Sequence, residues 1–195
     1  MQTFPQIYLV RHGQTAWSLS GQHTGRTDIP LTEAGEEEGR RMGRRLAGRT
    51  FAQIWTSPSS RARRTCELAG FAADARVDPD LCEWDYGDYE GLLSSEIHAH
   101  NPKWDVFHDG GPHGESPADV LARADRVIAR MREVNGDVLV FSSGHFLRCM
   151  AARWLGLELS AGRFLLLNTG SLNIFSYEHA LSQPAIALWN EKPAS

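Results

Sequence analysis

A chain of 195 residues with 42% hydrophobic and 23% charged residues describes an ordinary globular protein large enough to bury a core, and a single domain over residues 1–195 is expected. Its formal net charge of -4 removes any general electrostatic case for binding nucleic acid or an anionic membrane, although all of the 20 basic residues except Lys103 and Lys192 are arginine, which suits bidentate phosphate binding. Cys66, Cys82 and Cys149 are odd in number and lack CxxC spacing, which excludes a disulfide framework and a structural zinc site; they are read as reduced and mostly buried.

The first ten residues, MQTFPQIYLV, lack a basic region followed by a long apolar run, and no apolar stretch approaches about 18 residues, so a soluble cytoplasmic protein is expected. Ile7 to Val10 form a short apolar β run. Thr32 then caps a helix with an acidic first turn and with Glu36/Arg40 and Glu37/Arg41 four residues apart. The arginines Arg40, Arg41, Arg44 and Arg45 read as its solvated face. FAQIWTSP from Phe51 predicts a second strand, and SRARRTCELAG a helix ending at Gly70. Residues 92–115 are polar, rich in Gly and His and without clear periodicity, which predicts a long excursion over the sheet edge or the active face.

Ser116-Pro117 marks another helix start, and Val120, Leu121, Ala124, Val127, Ile128 and Met131 fall on one face of that helix. DVLVFSS from Asp137 reads as a buried strand, followed by a helix from about Phe146 that Gly156 ends, and then β-like FLLLN and LNIFSY. The alternation predicts an α/β fold of three layers, a mostly parallel central sheet with helices on both faces.

In such folds ligands bind at the carboxyl ends of strands. The first predicted strand ends in Arg11-His12-Gly13, and the second at Ser57-Pro58 with Arg61 four residues on. The segment after Val77 leads to Glu83, and the later strand ends at Ser142-Ser143-Gly144-His145. Any one of these residues suits a strand emerging into solvent. Together they bring two arginines, two histidines and a carboxylic acid to one edge.

RHGQT, SPSSRARRT, EWDYGDYEG and SGHFLR, in this order, resemble the histidine phosphatase superfamily with its phosphoglycerate mutase-like fold, over about Ile7 to Leu155. SGQHTGRTDIPLT and EWDYGDYEG are most similar to the branch containing sedoheptulose-1,7-bisphosphatase. The resemblance implies that His12 is a nucleophile forming a phosphohistidine and that Glu83 is the proton donor, to be held protonated by partial burial or by the substrate's phosphate. Arg11, Arg61 and His145 bind the phosphoryl oxygens. Fixed positive charge of this kind offsets a dianionic ester without a metal or cofactor.

Ser18, Thr24, Gly25, Arg26, Ser57, Trp84, Tyr86 and Phe146 complete the expected substrate contacts. Ser18 stands where many relatives have asparagine, and Ser18 and Thr24 equally suit local caps or turns. Arg26 is the candidate for holding a second phosphate, with a pair to Asp28 or solvent as the alternative. His98, His100, His108 and His113 raise the idea of a metal, but no cysteine joins them and no carboxylate pattern supports it; a substrate-covering segment over 92–115 is the preferred reading.

The expected function is hydrolysis of a small phosphorylated metabolite, a sugar phosphate or bisphosphate among the possibilities. The alternatives are phosphoglycerate mutase-type transfer and a non-catalytic binding module. Mutases of this fold follow the acid with a Glu-Arg-His-Tyr run, whereas Glu83-Trp84-Asp85-Tyr86 lacks that cation. The expected partner is a small phosphate ester, with neither nucleic acid nor membrane; oligomeric state is not legible.

Overall fold

The computed structural model describes residues 4–194, so Met1 to Thr3 of the N-terminal stretch lie outside the described residues. Strand β1 (Ile7–Arg11) is followed by α1 (Ala16–Ser20), α2 (Glu33–Leu46), β2 (Gln53–Thr56), α3 (Ser60–Leu68) and β3 (Ala75–Val77). Then come α4 (Ser94–His100), α5 (Val106–Asp109), α6 (Pro117–Arg132), β4 (Val138–Ser142), α7 (Gly144–Trp154), β5 (Leu172–Tyr177) and β6 (Pro184–Glu191). Among the described residues no helix is long and apolar enough to cross a membrane.

Six strands form one sheet in the order β3-β2-β4-β1-β5-β6. The first four are parallel, while β5 runs antiparallel to β1 and β6 antiparallel to β5. The sheet is therefore mixed, with a parallel half that carries the strand ends named above.

Side-chain alternation along the central strands produces three layers. Ile7 and Leu9 of β1, with Val138 and Val140 of β4, enter a core built with α6 and α7. Tyr8, Val10, Leu139 and Phe141 point the other way, into a core built with α2 and α3. Both faces of β1 and β4 are covered, which explains why these strands read as continuous apolar runs.

The caps follow the predicted residues. Thr32 accepts from the Gly35 amide at the start of α2, and Ser116 forms a capping box with Asp119 ahead of Pro117. On α2, Arg40 pairs with Glu36 at 2.9 Å, while Glu37 is 2.8 Å from Arg44, and Arg45 reaches Glu191 of β6 at 3.0 Å. Of the predicted α6 face, Leu121 is half-buried and the other five residues are buried.

Two expectations change. FLLLN is no strand: a 3-10 helix over Leu159–Phe164 leads into irregular chain, with Leu166 exposed and Leu167 turned inward. Residues 92–115 fold as α4 and α5, anchored by buried Ile97, Trp104, Val106 and Phe107. These helices are too short for a 3.6-residue period to show. All three cysteines are free, Cys66 and Cys149 buried and Cys82 half-buried.

The loop after β1 must pass close to α2. A Cβ on Gly13 would collide with the Gly35 carbonyl, and one on Gly35 with the Gln14 backbone. Gly35→Ala should therefore destabilise the protein although alanine is the better helix former by about 1 kcal/mol. Overpacking costs about 1–3 kcal/mol, which lowers Tm by about 2–4 °C per kcal/mol in a chain of this size. Thermal unfolding followed by circular dichroism should show that loss; an unchanged or raised Tm contradicts the packing described.

Candidate active site

The parallel register sets four segments side by side. Arg11 of β1 lies opposite Ser142 of β4, and Thr56 of β2 opposite Phe141. Ladder hydrogen bonds continue one residue further, from the His12 amide to Ser142 O (3.0 Å) and from the Ser57 amide to Phe141 O (2.9 Å). Arg11, His12 and the start of α7 thereby share one edge, where they line a cavity of 240 Å³ together with Glu83, Tyr86 and Ser18.

His12 is 4% exposed, and its Nδ1 lies 2.8 Å from the Gly13 carbonyl oxygen. A carbonyl only accepts, so Nδ1 carries the proton and Nε2 keeps its lone pair. Burial first, and then the charges of Arg11 and Arg61, hold the imidazole well below its ordinary 6.5, against the smaller opposing effect of the Gly13 bond. His12 is thus a neutral imidazole with one free nitrogen.

Arg11 donates to the Leu167 carbonyl, and its Nε is buried with no partner. Gly144 flanks it closely, since a Cβ there would come within 3.1 Å of the Arg11 Cζ. Arg61, fully buried on α3, spends its fork on the loop of residues 24–27: Nη1 donates to Thr27 O at 3.0 Å and Nη2 to Gly25 O at 2.8 Å and Thr24 O at 3.1 Å. Its Nε is also without a partner. Arg61 thus braces the loop and contributes its charge to His12, and of these two arginines it is Arg11 that lies on the cavity wall.

Glu83, 7% exposed, accepts three backbone amides: Oε1 from Trp84 (2.9 Å) and Phe146 (2.8 Å), and Oε2 from His145 (3.0 Å). Two of these amides belong to the first turn of α7, where the helix dipole favours an anion. Arg123, reaching across from α6, donates to the Cys82 carbonyl at 2.8 Å and is joined to Glu115 at 2.8 Å, which fixes the chain leading to Glu83. Glu83 also lines a second cavity of 540 Å³ on its other side.

His145 Nδ1 lies 2.6 Å from Tyr86 Oη. Burial, followed by Arg148, His23 and Arg11, lowers the imidazole well below 6.5, while burial and then Glu83 raise the Tyr86 phenol. Both partners are neutral, and in the tautomer in which the phenol donates to Nδ1 the His145 proton sits on Nε2.

The expected contacts divide. Ser18 and Thr24 line the cavity with the catalytic candidates, though Ser18 Oγ also donates to Thr15 O and Thr24 Oγ1 to Gln22 O. Gly25, Arg26 and Ser57 line the second cavity instead. The Gly25 amide donates to Glu90 Oε1 (2.6 Å), and Arg26 pairs with Asp85 at 2.5 Å rather than with Asp28. Trp84 and Phe146 place their side chains fully in the core, so only their amides reach the site, through Glu83.

The four histidines do not converge. His98 Nε2 is 3.0 Å from Trp104 O, His108 pairs with Asp109, and His113 with Asp88. Among the described residues no group of three or more His, Cys, Asp or Glu is arranged to hold a metal ion.

Sequence reasoning missed His23, Gln22, Ser94 and Arg148, all on the cavity wall. His23 sits 4.8 Å from the Tyr86 ring and 6.1 Å from that of His145. Burial and then His98 lower it to about 4. Arg148 follows His145 by three residues on α7, a spacing that places both on one helix face. Ser94 is the point at which segment 92–115 reaches the cavity, while Phe107 backs it with a ring 5.3 Å from His145.

The family model described as "Histidine phosphatase superfamily (branch 1)" matches residues 7–192. An acid phosphatase of Mycobacterium tuberculosis is 39% identical over 93% of this chain and 91% of its own length. The sedoheptulose 1,7-bisphosphatase of Saccharomyces cerevisiae is 34% identical over 94% and 92% respectively. The solved structure of the Mycobacterium tuberculosis open reading frame Rv3214 superposes with a TM-score of 0.92 at 36% identity, covering 97% of this chain and 99% of that one.

His12, His23 and His145 are neutral in the folded protein at pH values where an unfolded imidazole is protonated. Below the ordinary value of 6.5 the unfolded chain binds more protons than the folded one, so stability present above that pH is lost as pH falls. Each residue contributes a slope of up to about 1.4 kcal/mol per pH unit. Urea unfolding between pH 7 and about 5 should show a falling free energy that His23→Gln makes shallower; a flat profile contradicts neutral buried imidazoles.

Proposed function

The chain belongs to the histidine phosphatase superfamily, and from that premise we propose that it is a metal-independent phosphomonoesterase that hydrolyses small phosphorylated metabolites through a phosphohistidine on His12. The observation that carries this reading is the His12 imidazole, held by Gly13 O with Nε2 free, beside Arg11 and across the cavity from Glu83.

In the first step His12 Nε2 attacks phosphorus and the bond to the leaving oxygen breaks, while Glu83 delivers its proton to that oxygen. The Nδ1–H bond to Gly13 stabilises the imidazole as positive charge develops. Arg11 and the Nε2–H of His145 are the donors for the phosphoryl oxygens, with Arg61 adding its charge from behind. In the second step the Glu83 carboxylate takes a proton from water, the water oxygen bonds to phosphorus and the N–P bond breaks. Inorganic phosphate leaves and Glu83 is again protonated.

A cavity of 240 Å³ lies below the range of roughly 300–1,000 Å³ typical of drug-sized ligands, which suits a small phosphate ester. Ser18, Gln22, Thr24 and Ser94 give its wall the hydrogen-bonding character suited to a hydroxylated leaving group. The names of the mycobacterial and yeast relatives support hydrolysis of a phosphate ester. Trp84, packed in the core directly after the acid, puts no cation at that position, which supports hydrolysis over mutase chemistry. Three free thiols fit a cytoplasmic setting.

His12→Ala should lower kcat/KM for p-nitrophenyl phosphate by at least about a thousandfold with Tm retained, and wild-type activity should survive EDTA. Glu83→Gln should slow an alkyl phosphate by about 10²–10⁴-fold and p-nitrophenyl phosphate far less, because that leaving group needs little protonation. Full activity of His12→Ala, or equal losses for both esters in the phosphorylation step of Glu83→Gln, contradicts these roles.

A further inference from the structure

Arg148 is a half-buried cation on the wall of the reaction cavity with no ion-pair partner among the described residues. Its Nε donates to Gly162 O and its Nη2 to Arg163 O, both at 3.0 Å, and the guanidinium lies 4.7 Å from the Phe107 ring centre. Those bonds fix its position and leave Nη1 without a described partner. Asp105, one of the nearby carboxylates, is engaged with Arg163 at 3.6 Å. A cation withdrawn from water without a counter-ion is costly unless an anion arrives to meet it.

Arg26, by contrast, is exposed, already paired with Asp85, and opens on the second cavity, where Asp28, Asp85 and Glu115 outnumber Arg26 and Arg123. An anion seeking Arg26 would have to displace Asp85 in a surplus of negative charge. Arg148 carries no such penalty.

A charge count around the reaction cavity points the same way. Among the described residues Arg11 and Arg148 are the cations on its wall, Arg61 lying behind it with Asp28 at 3.8 Å, and the three imidazoles nearby are neutral. Arg11 is taken by the phosphoryl group, which leaves Arg148 as the wall cation for the rest of the substrate. We infer that Arg148 binds an anionic group on the leaving portion of the substrate, so that the substrates are small phosphate esters carrying a second anion, a carboxylate or a second phosphate. This inference rests on the hydrolase reading above.

Matched esters test it. 3-Phosphoglycerate and glycerol 3-phosphate differ by a carboxylate against a hydroxymethyl group, and fructose 1,6-bisphosphate and fructose 6-phosphate by one phosphate; p-nitrophenyl phosphate is the control without a distal anion. Wild type should favour the doubly anionic member of at least one pair by about tenfold to a hundredfold in kcat/KM, chiefly through KM, and the pair that responds identifies the anion. Arg148→Gln should abolish that preference, raising KM for the doubly anionic ester more than for p-nitrophenyl phosphate, and Arg148→Lys should retain part of it. Should Arg148→Gln fail to fold, the wild-type ratio and its decline with added salt still decide the matter. Absence of discrimination in either pair overturns the inference, as does an equal loss for every ester in Arg148→Gln. Failure of wild type to hydrolyse even p-nitrophenyl phosphate would instead overturn the hydrolase reading and the inference with it.

Discussion

One carboxylate ties the site together. Glu83 accepts the amides of Trp84, His145 and Phe146, and so fastens the irregular chain after β3 to the first turn of α7. Hydrogen bonds contribute about 0.5–1.5 kcal/mol each, and three of them hold a segment that has no ladder of its own. The same contact places the proposed proton donor beside His145 and, through the parallel register of β1 and β4, opposite His12. Arg123 holds the carbonyl just before Glu83 from the α6 side, so the acid is braced from two layers of the fold.

Around that anchor the protein keeps imidazoles neutral among arginines. Burial removes water that would solvate a second charge, and Arg11 and Arg61 make a proton on His12 still less favourable. Positive charge and a nucleophile that must be uncharged thus reinforce each other. Glycine makes the closeness possible at two points: Gly13 lets the strand end meet α2, and Gly144 lets α7 begin against the Arg11 guanidinium. The backbone carbonyl at Gly13 then selects which imidazole nitrogen reacts.

Much of this was legible in the sequence because it depends on short-range chemistry. Apolar runs at β1 and β4, a capping Thr32, Ser116 ahead of Pro117 and the order of four strand-end motifs are all local patterns, and the α/β fold and the five proposed catalytic residues are legible in them. What stayed hidden depends on contacts between distant segments. Arg26 pairs with Asp85 across the loop; Arg61 turns its fork to carbonyls 34 to 37 residues away; Trp84 and Phe146 lend amides while their rings enter the core. FLLLN imitates a strand by composition, but the 3-10 helix before it and the inward turn of Leu167 beneath Arg11 remove it from the sheet. The half-buried strand β6 shows no clean alternation. Arg148 did have a signal, as the last residue of the SGHFLR motif and three residues from His145 on one helix face, but the sequence reading gives it no role.

The central claim is that a neutral His12 attacks phosphorus through Nε2 because Nδ1 is committed to Gly13 O. Rapid quenching of the enzyme during turnover of p-nitrophenyl phosphate, with the adduct located by peptide mass spectrometry and its attachment atom read by phosphorus–nitrogen NMR on labelled histidine, tests it directly. The structure predicts a phosphoryl group on Nε2 of His12. Phosphorylation at Nδ1, at another residue, or turnover with no phosphoenzyme at all would contradict it.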